Sequence, residues 1–244
     1  MNKLIIISGA SRGIGLGIAR HLLDTGFKVA LCYNHHPEKA IALVHEYPKH
    51  AFAIGFDVGN KQAITDAFHK VKNHFNQPIY GIINNAGIAQ HADFLTLSLE
   101  DWQHMLHINL TANFLMAQAA LPEMLEQKQG RLIQISSVSG VTGGVYQPHY
   151  AAAKAGQLNL TKSLARLYSN QGITANAIAI GLIETDMLQA EMAKPEFSKR
   201  LHDIPAKRLG QIAEAASLAH YLLSPAASYI TGQTLHLNGG SYCG

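Results

Sequence analysis

A tyrosine and a lysine four positions apart form the pair in this sequence that is best suited to acid–base chemistry. Tyr150 and Lys154 are separated by three alanines and open a strongly helical stretch. Residues at positions i and i+4 share one face of a helix, so the phenol and the ammonium can face one pocket. A nearby cation favours the phenolate and lowers the pKa of a tyrosine, which otherwise lies near ~10. The same spacing also arises by chance, as a surface tyrosine lying over a lysine stem.

A second group of residues could bind phosphate. Three glycines, Gly9, Gly13 and Gly15, follow a short apolar run, with Ser11, Arg12 and Ile14 between them. Glycines let the backbone turn tightly and approach a pyrophosphate closely, and amide groups at the start of the next helix then face the anion. The spacing G-x-x-x-G-x-G differs from the more common G-x-G-x-x-G. Such a turn can also serve only to connect a strand to a helix.

The end of the second apolar run indicates which dinucleotide would bind. Enzymes that use NAD carry an acidic residue about 20 positions beyond the glycines, where it binds the ribose 2′-OH. Here residues 31–36 include Asn34 but no carboxylate. The absence of that charge removes repulsion against a 2′-phosphate, and Arg12 could attract one, so the pattern favours NADP(H). Asp57, after the third run, either accepts a hydrogen bond from an adenine amino group or caps the next helix.

The elements that must position these residues follow from an alternation of two patterns. Short runs that are apolar throughout alternate with longer amphipathic stretches, which indicates strands that are covered on both faces. Repeated βα units predict a single α/β domain over residues 1–244, with a Rossmann-type, doubly wound, seven-stranded parallel sheet flanked by helices. The predicted strands are 4–8, 28–33, 51–56, 79–83, 131–136, 173–180 and 233–237. The predicted helices include 14–24, 37–46, 61–74, 101–126, 150–169 and 211–223.

One long connection, residues 181–210, leaves the sixth predicted strand and contains Pro195 and Pro205. Ligands of α/β proteins bind at the carboxyl ends of strands, and long loops inside compact domains are usually functional. We expect a substrate lid here, the alternative being a pair of surface helices that cover the sheet. The apolar residues that suit an acyl chain are Met187, Leu188, Met192 and Phe197.

Composition argues against several other classes of protein. The 244 residues carry a formal charge of +3 with scattered basic residues, which does not favour a nucleic-acid partner. No apolar run approaches the ~20 residues of a membrane span, and the N-terminal run is too short for a signal peptide, so we expect a cytoplasmic protein. Cys32 and Cys243 do not indicate a disulfide framework, and the 14 histidines lack metal-site spacing, so no metal is expected.

The motifs occur in an order that resembles the classical form of the short-chain dehydrogenase/reductase family. The glycine turn is followed by Asn84-Asn85-Ala86-Gly87 after the fourth predicted strand, Ser136-Ser137 at the end of the fifth, and then the Tyr150–Lys154 pair. The resemblance covers essentially the whole chain. Two departures are Ile180-Gly181, where the family usually has Pro-Gly, and Ser8 in place of a threonine.

The resemblance implies a role for each matched residue. Ser137 would hydrogen-bond the substrate oxygen, Tyr150 would be the general acid in reduction, and Lys154 would bind the nicotinamide ribose and tune the tyrosine. Asn109 would hold a water in a proton relay. Asn85 would contact the cofactor or brace the sheet. The implied cofactor-binding residues are Gly9, Ser11, Arg12, Gly13, Ile14, Gly15, Asn34, Asp57, Val58, Asn85, Ala86, Gly87, Tyr150, Lys154, Gly181, Ile183 and Thr185.

Within that family, several stretches are most similar to the 3-oxoacyl-acyl-carrier-protein reductases of bacteria. This similarity implies NADPH-dependent reduction of a 3-oxoacyl thioester, with acetoacetyl-CoA, a sugar or a small ketone as alternative substrates. A non-enzymatic nucleotide-binding scaffold is a further alternative, although all four catalytic positions are filled. Lys128 and Arg131 would meet an acyl carrier protein, although Gln171 stands where an arginine is frequent. A homotetramer is implied, assembled through the apolar and small residues Ala112, Phe114, Leu115, Ala119, Leu121, Ala155, Leu158, Leu160 and Leu164.

Overall fold

A parallel sheet of seven strands forms the centre of the protein. The computed structural model describes residues 2–185, 188 and 195–244, with the backbone alone at positions 195, 196 and 199. The strand order is β3-β2-β1-β4-β5-β6-β7, and every pairing is parallel. The strands are β1 (Leu4–Ile7), β2 (Lys28–Tyr33), β3 (Ala51–Gly55), β4 (Ile79–Asn84), β5 (Gly130–Ser137), β6 (Ile173–Ile180) and β7 (Thr234–Leu237). The order reverses between β1 and β4, and ligands of such sheets bind at this switch point.

Helices cover both faces of the sheet. They are α1 (Gly13–Asp24), α2 (Glu38–Glu46), α3 (Lys61–Phe75), α4 (Leu99–Leu106), α5 (Ala112–Glu126), α6 (Ser139–Thr142), α7 (Pro148–Tyr168), α8 (Pro195–His202) and α9 (Ile212–Leu223). Short helical turns lie at His107–Thr111 (π), Ser169–Gln171 and Pro225–Ala227 (both 3₁₀). One apolar core lies between the sheet and α3, α5 and α7, and the other between the sheet and α1, α2 and α9. The doubly wound α/β fold is therefore confirmed.

The predicted strands are all present, with ends that differ by one residue at most. The predicted helix over 101–126 is wrong as a single helix. Its residues fall into α4, the π-turn His107–Thr111 and α5. A π-turn contains about one residue more than a regular α-helical turn, and such turns are frequent at functional sites.

Part of the connection 181–210 is helical. Pro195 begins α8, which suits proline because the first turn of a helix needs no amide donor there. Pro205 lies three residues beyond His202, the last residue of α8. Met187 and Met192 lie outside the described residues.

Fewer apolar side chains of α5 and α7 are left for a contact between subunits than the sequence indicates. Four of the nine residues expected at an interface between subunits belong instead to the core of the subunit. They are Ala112, Leu121, Leu158 and Leu164, each at most 8% exposed. Phe114 remains 45% exposed, and Ala155 is also exposed. The described helices include none that is long and apolar enough to cross a membrane.

Candidate active site

The four predicted catalytic residues line a single cleft at the carboxyl ends of β4, β5 and β6. Ser137 ends β5, Tyr150 and Lys154 lie in the first turns of α7, and Asn109 lies in the π-turn. Pro148 occupies the first turn of α7, where its fixed φ angle favours the start of a helix. The topology therefore brings together side chains that are separated by up to 45 positions in the sequence.

The lysine is held from two directions. Lys154 is 4% exposed, and its Nζ donates a hydrogen bond of 2.8 Å to the carbonyl of Ile135 in β5. The hydroxyl of Ser136 donates to the main-chain carbonyl of Lys154 at 3.1 Å, which ties α7 to the end of the same strand. The Nζ atom lies 5.5 Å from the centroid of the Tyr150 ring. Ser136, expected only to end the strand, thus fixes the register of α7 against β5.

Burial shifts the pKa of both residues of the pair. It raises the pKa of the Tyr150 phenol, and a hydrogen bond with Ser137 acts in the opposite direction. Burial also lowers the pKa of Lys154 to about 7. Desolvation is the main cause of both shifts, because it disfavours the charged form of each group. The expectation that Lys154 lowers the pKa of Tyr150 stays a prediction.

Asn109 is fully buried and fixed at both its side chain and its main chain. Its Nδ2 donates to the carbonyl of Ile88 at 3.0 Å, and its Oδ1 accepts from the amide of Ile88 at 3.3 Å. A side chain at Gly87 would place its Cβ only 2.5 Å from that Oδ1 atom. The absence of a side chain at Gly87 is what lets Asn109 reach the loop after β4.

The glycine turn is packed against the motif after β4. The Nδ2 atom of Asn85 donates to the carbonyls of Ser8 and Gly9, and the Ser8 hydroxyl accepts from the amides of Asn85 and Ala86. A Cβ at Gly15 would lie 2.4 Å from Asn85 Nδ2, so the glycine is required for this contact. Of the two roles considered for Asn85, bracing of the sheet is the one these bonds perform. Its side chain also lines the cleft.

The turn fits a dinucleotide phosphate. Gly9 and Gly13 have positive φ angles of 64° and 54°, which glycine adopts without strain. A Cβ at Gly13 would meet only Thr185 Cγ2, at 3.9 Å, so the space beside the turn is open. The first turn of α1 has no acidic residue and no side-chain cap. Its amides are thus suited to an anion, as the helix dipole favours.

The residues expected around the adenosine lie beside this turn. The Ser11 hydroxyl donates to the carbonyl of His35 at 3.4 Å, so the loop after β2 adjoins the glycine turn. Arg12 and Asn34 are both exposed there. Asp57 is not the helix cap, because Asn60 Oδ1 accepts from the amide of Ala63 at the start of α3. Asp57 instead accepts from the amide of Gly59, at 2.8 Å.

Val58 lies near Asp57 but packs its side chain into the core, at 9% exposure. Its contact with a cofactor would therefore come from the main chain. Of the other predicted cofactor-binding residues, eight line the cleft: Ile14, Asn85, Gly87, Tyr150, Lys154, Gly181, Ile183 and Thr185. Gly9, Ser11, Arg12, Gly13, Gly15, Asn34, Asp57 and Ala86 do not line that cleft, and lie on the glycine turn and the neighbouring strand ends.

Several apolar residues of the cleft were not expected from the sequence. They are Ile88, Ala89, Ile135, Ile180 and Leu182. No chemical type distinguishes them from core residues. The signal that could have found them is position, because each lies within two residues of a motif residue at or just after the end of a strand.

Arg131 is wrong as a contact for a carrier protein. It is 5% exposed, it lies at the amino end of the interior strand β5, and its guanidinium is 5.4 Å from the Tyr80 ring. Lys128 is exposed and adjoins the turn that contains Gln171, since Gly130 donates its amide to the carbonyl of Gly172. Over the described ranges, no group of three or more His, Cys, Asp or Glu could hold a metal ion.

The sequence profile of the family described as enoyl-(acyl carrier protein) reductase matches residues 9–242. This chain belongs to the short-chain dehydrogenase/reductase family. It is 37% identical to the 3-oxoacyl-(acyl-carrier-protein) reductase FabG of Staphylococcus epidermidis, over 99% of this chain and 100% of the relative. The FabG of Aquifex aeolicus is also 37% identical, over 98% of this chain and 97% of its own. The crystal structure of gox2181 has a TM-score of 0.94 and 30% identity, covering 98% of this chain and 95% of that one.

Proposed function

We propose that the protein reduces the 3-oxo group of an acyl thioester to a 3-hydroxy group, with NADPH as the reductant. The observation that carries the proposal is the pairing of two hydroxyls, those of Ser137 and Tyr150, beside the buried Lys154 in one cleft. Two hydroxyl donors can hydrogen-bond a single carbonyl oxygen. The full-length similarity to 3-oxoacyl-(acyl-carrier-protein) reductases supports the choice of substrate.

Each residue of the cleft has its own role in the proposed carbonyl reduction. The nicotinamide, when bound, supplies a hydride to the carbonyl carbon. Ser137 donates a hydrogen bond that orients the carbonyl oxygen. Tyr150 then transfers its phenolic proton to that oxygen, and its raised pKa keeps the phenol protonated until the oxygen becomes basic enough to accept the proton. Lys154, in its protonated form, would stabilise the phenolate that remains.

The residues beside the glycine turn support NADPH, in preference to NADH, as the cofactor. Arg12 and Asn34 are exposed beside the glycine turn, where the 2′-phosphate of NADP(H) would lie. No carboxylate follows β2 within residues 34–36 to repel that phosphate. We place the reaction in the cytoplasm.

An acyl carrier protein is the proposed bearer of the acyl group. With Arg131 buried, Lys128 is the cation left to meet an acidic carrier near the Ser169–Gln171 turn. One cation gives a weak electrostatic attraction, which salt screens. We therefore expect the carrier to lower the KM only modestly relative to a short thioester.

The oxidation of NADPH against a panel of substrates tests the proposal. The panel contains a 3-oxoacyl thioester on carrier protein, on CoA and on a short thiol, the matching enoyl thioesters, small ketones and sugars. Turnover of all three 3-oxoacyl thioesters at the highest kcat/KM is the expected result. Higher kcat/KM with the enoyl thioesters would favour the reaction named in the family description. NADPH binding without turnover of any substrate would favour a scaffold.

A further inference from the structure

Polar side chains are buried in the core behind the catalytic cleft. Asn84 and Gln134, which are neighbours on β4 and β5, face the helices α5 and α7, and Asn113 and Gln157 face them from those helices. All four are at most 2% exposed. Burial of an amide that lacks its hydrogen bonds costs free energy, so each such side chain calls for a reason.

Gln157 has such a reason, because it holds the main chain of Asn109. The Nε2 atom of Gln157 donates to the carbonyl oxygen of Asn109 at 2.5 Å. Asn113 Nδ2 donates to the same oxygen at 3.1 Å. A carbonyl oxygen has two lone pairs, so these two donors use its capacity. The peptide group of Asn109 is therefore fixed from the interior of the protein.

This contact acts at an irregular point of the backbone. Asn109 lies within the π-turn His107–Thr111, between α4 and α5. A π-turn replaces the i to i−4 hydrogen bonds of an α-helix with i to i−5 bonds, such as the one from the Ala112 amide to the His107 carbonyl. This geometry is rare outside single turns, and contacts with neighbouring elements help to hold it. The side chain of Asn109 is bonded to Ile88, while Gln157 bonds its carbonyl from α7.

Gln157 also links Asn109 to Lys154. The two α7 residues are three positions apart, so they lie on the same face of the helix. A Cβ built at Gly87 would lie 2.5 Å from Asn109 Oδ1 and 3.9 Å from Lys154 Nζ. The two polar atoms thus both lie close to one point beside Gly87, and Gln157 joins the elements that carry them.

We propose that Gln157 is a positioning residue for the reduction, which holds the π-turn against α7 and so sets the place of Asn109 relative to Lys154. It does not touch the substrate. Its effect is on the path by which Tyr150 regains its proton, through Lys154 and Asn109. The inference rests on the proposed function, because that path matters only if Tyr150 donates a proton.

The test compares two variants that make the same change, Gln157→Leu and Gln134→Leu. Both glutamines are buried on the same side of the sheet, but both polar side-chain atoms of Gln134 are without a hydrogen-bond partner in the described parts of the chain. We expect Gln157→Leu to lower kcat about tenfold, the scale of one lost hydrogen bond, with KM values for NADPH and thioester within about twofold of wild type. Gln134→Leu should keep both constants.

A double variant decides whether the glutamine acts through the asparagine. If it does, Gln157→Leu should slow an Asn109→Ala enzyme by much less than it slows the wild type. Multiplicative losses would overturn the proposal, as would an unchanged kcat in Gln157→Leu alone. Equal losses in Gln157→Leu and Gln134→Leu would also overturn it, since they would indicate disturbed packing. If Asn109→Ala does not fold, the two leucine variants still decide. A wild type without carbonyl reductase activity would contradict the proposed function itself.

Discussion

Burial shifts the pKa of Tyr150 and the pKa of Lys154 in opposite directions. The phenol, with a raised pKa, holds its proton, and the amine, with a pKa of about 7, gives up its proton easily. A proton donor for reduction should be protonated at neutral pH, which the tyrosine is. The lysine is poised to change its charge as protons move, which suits a residue that supports the return of a proton to the tyrosine.

Removal of the phenolic hydroxyl tests the role of Tyr150. Tyr150→Phe keeps the packing of the ring and removes the proton donor. We expect kcat to fall by at least about 10²-fold, the usual scale for a general acid, while NADPH binding is retained. Turnover is measured from the oxidation of NADPH, and binding by fluorescence titration. Near-normal turnover in a pure sample would rule out this mechanism.

The lowered pKa of Lys154 predicts how stability depends on pH. An unfolded lysine keeps its proton up to about pH 10, whereas the folded one loses it near pH 7. Between about pH 7 and 10 the unfolded chain binds more protons, so this residue makes stability rise with pH. Lys154→Met removes that contribution. The difference in Tm between wild type and variant should therefore shift in favour of the wild type from about pH 7 to 9. Parallel curves would contradict the low pKa.

The residue at the end of β2 is expected to set the choice of cofactor. Asn34→Asp places a carboxylate beside the glycine turn, next to the expected 2′-phosphate. Repulsion should lower kcat/KM for NADPH relative to that for NADH. Asn34→Gln is the matched control, since it adds no charge. An unchanged ratio in the aspartate variant would show that Asn34 is remote from the phosphate or that Arg12 dominates.

Among the elements, the segment that contains α8 differs most from the rest of the fold. Phe197, Ile204 and Leu209 form an apolar cluster of their own, separate from the two cores that cover the sheet. Main-chain hydrogen bonds between Leu182, Glu184 and Gly210 close the base of the segment. A small cluster with a closed base can open as one unit at a lower free energy than the cores.

Hydrogen exchange tests whether this segment is a substrate lid. Amides of residues 197–209 should exchange fast in the free protein and slow markedly when NADPH and a thioester analogue are bound. Amides of α3 serve as the internal control, since that helix packs in the core and should not respond. Protection of the segment equal to that of the central strands without ligand would show that it is a structural cover of the sheet.

The sequence predicts elements well where one physical rule decides them. Apolar runs define the strands to within a residue, because a strand buried on both faces can contain little else. The π-turn at Asn109 was not predictable, since the residues that hydrogen-bond Asn109 there, Gln157 and Ile88, are distant in sequence. The four candidate catalytic residues, which the structure brings into one cleft, could be selected by type and order. Their protonation could not, because the desolvation that shifts Lys154 depends on how α7 packs on β5.

At the scale of the whole molecule, the burial of side chains limits which charged and apolar residues a partner protein can contact. The burial of Arg131 reduces the basic surface expected to meet a carrier protein to Lys128. The outer faces of α5 and α7 retain exposed apolar side chains, including Phe114 and Leu167. In a two-fold contact the same surface of each subunit meets its copy, so exposed apolar side chains on these helices would pack against those of a second subunit.

A homotetramer built on these helices can be tested by changing one exposed side chain. Phe114→Glu places a charge at the expected contact between subunits, where desolvation without a partner is costly. Ile41→Glu is the matched control, because Ile41 is similarly exposed, at 42% against 45%, but lies on α2 at the opposite face of the sheet. By light scattering at micromolar concentration, wild type and Ile41→Glu should be tetramers and Phe114→Glu a smaller species. A monomeric wild type would rule out the tetramer, and a tetrameric Phe114→Glu protein would place the contact elsewhere.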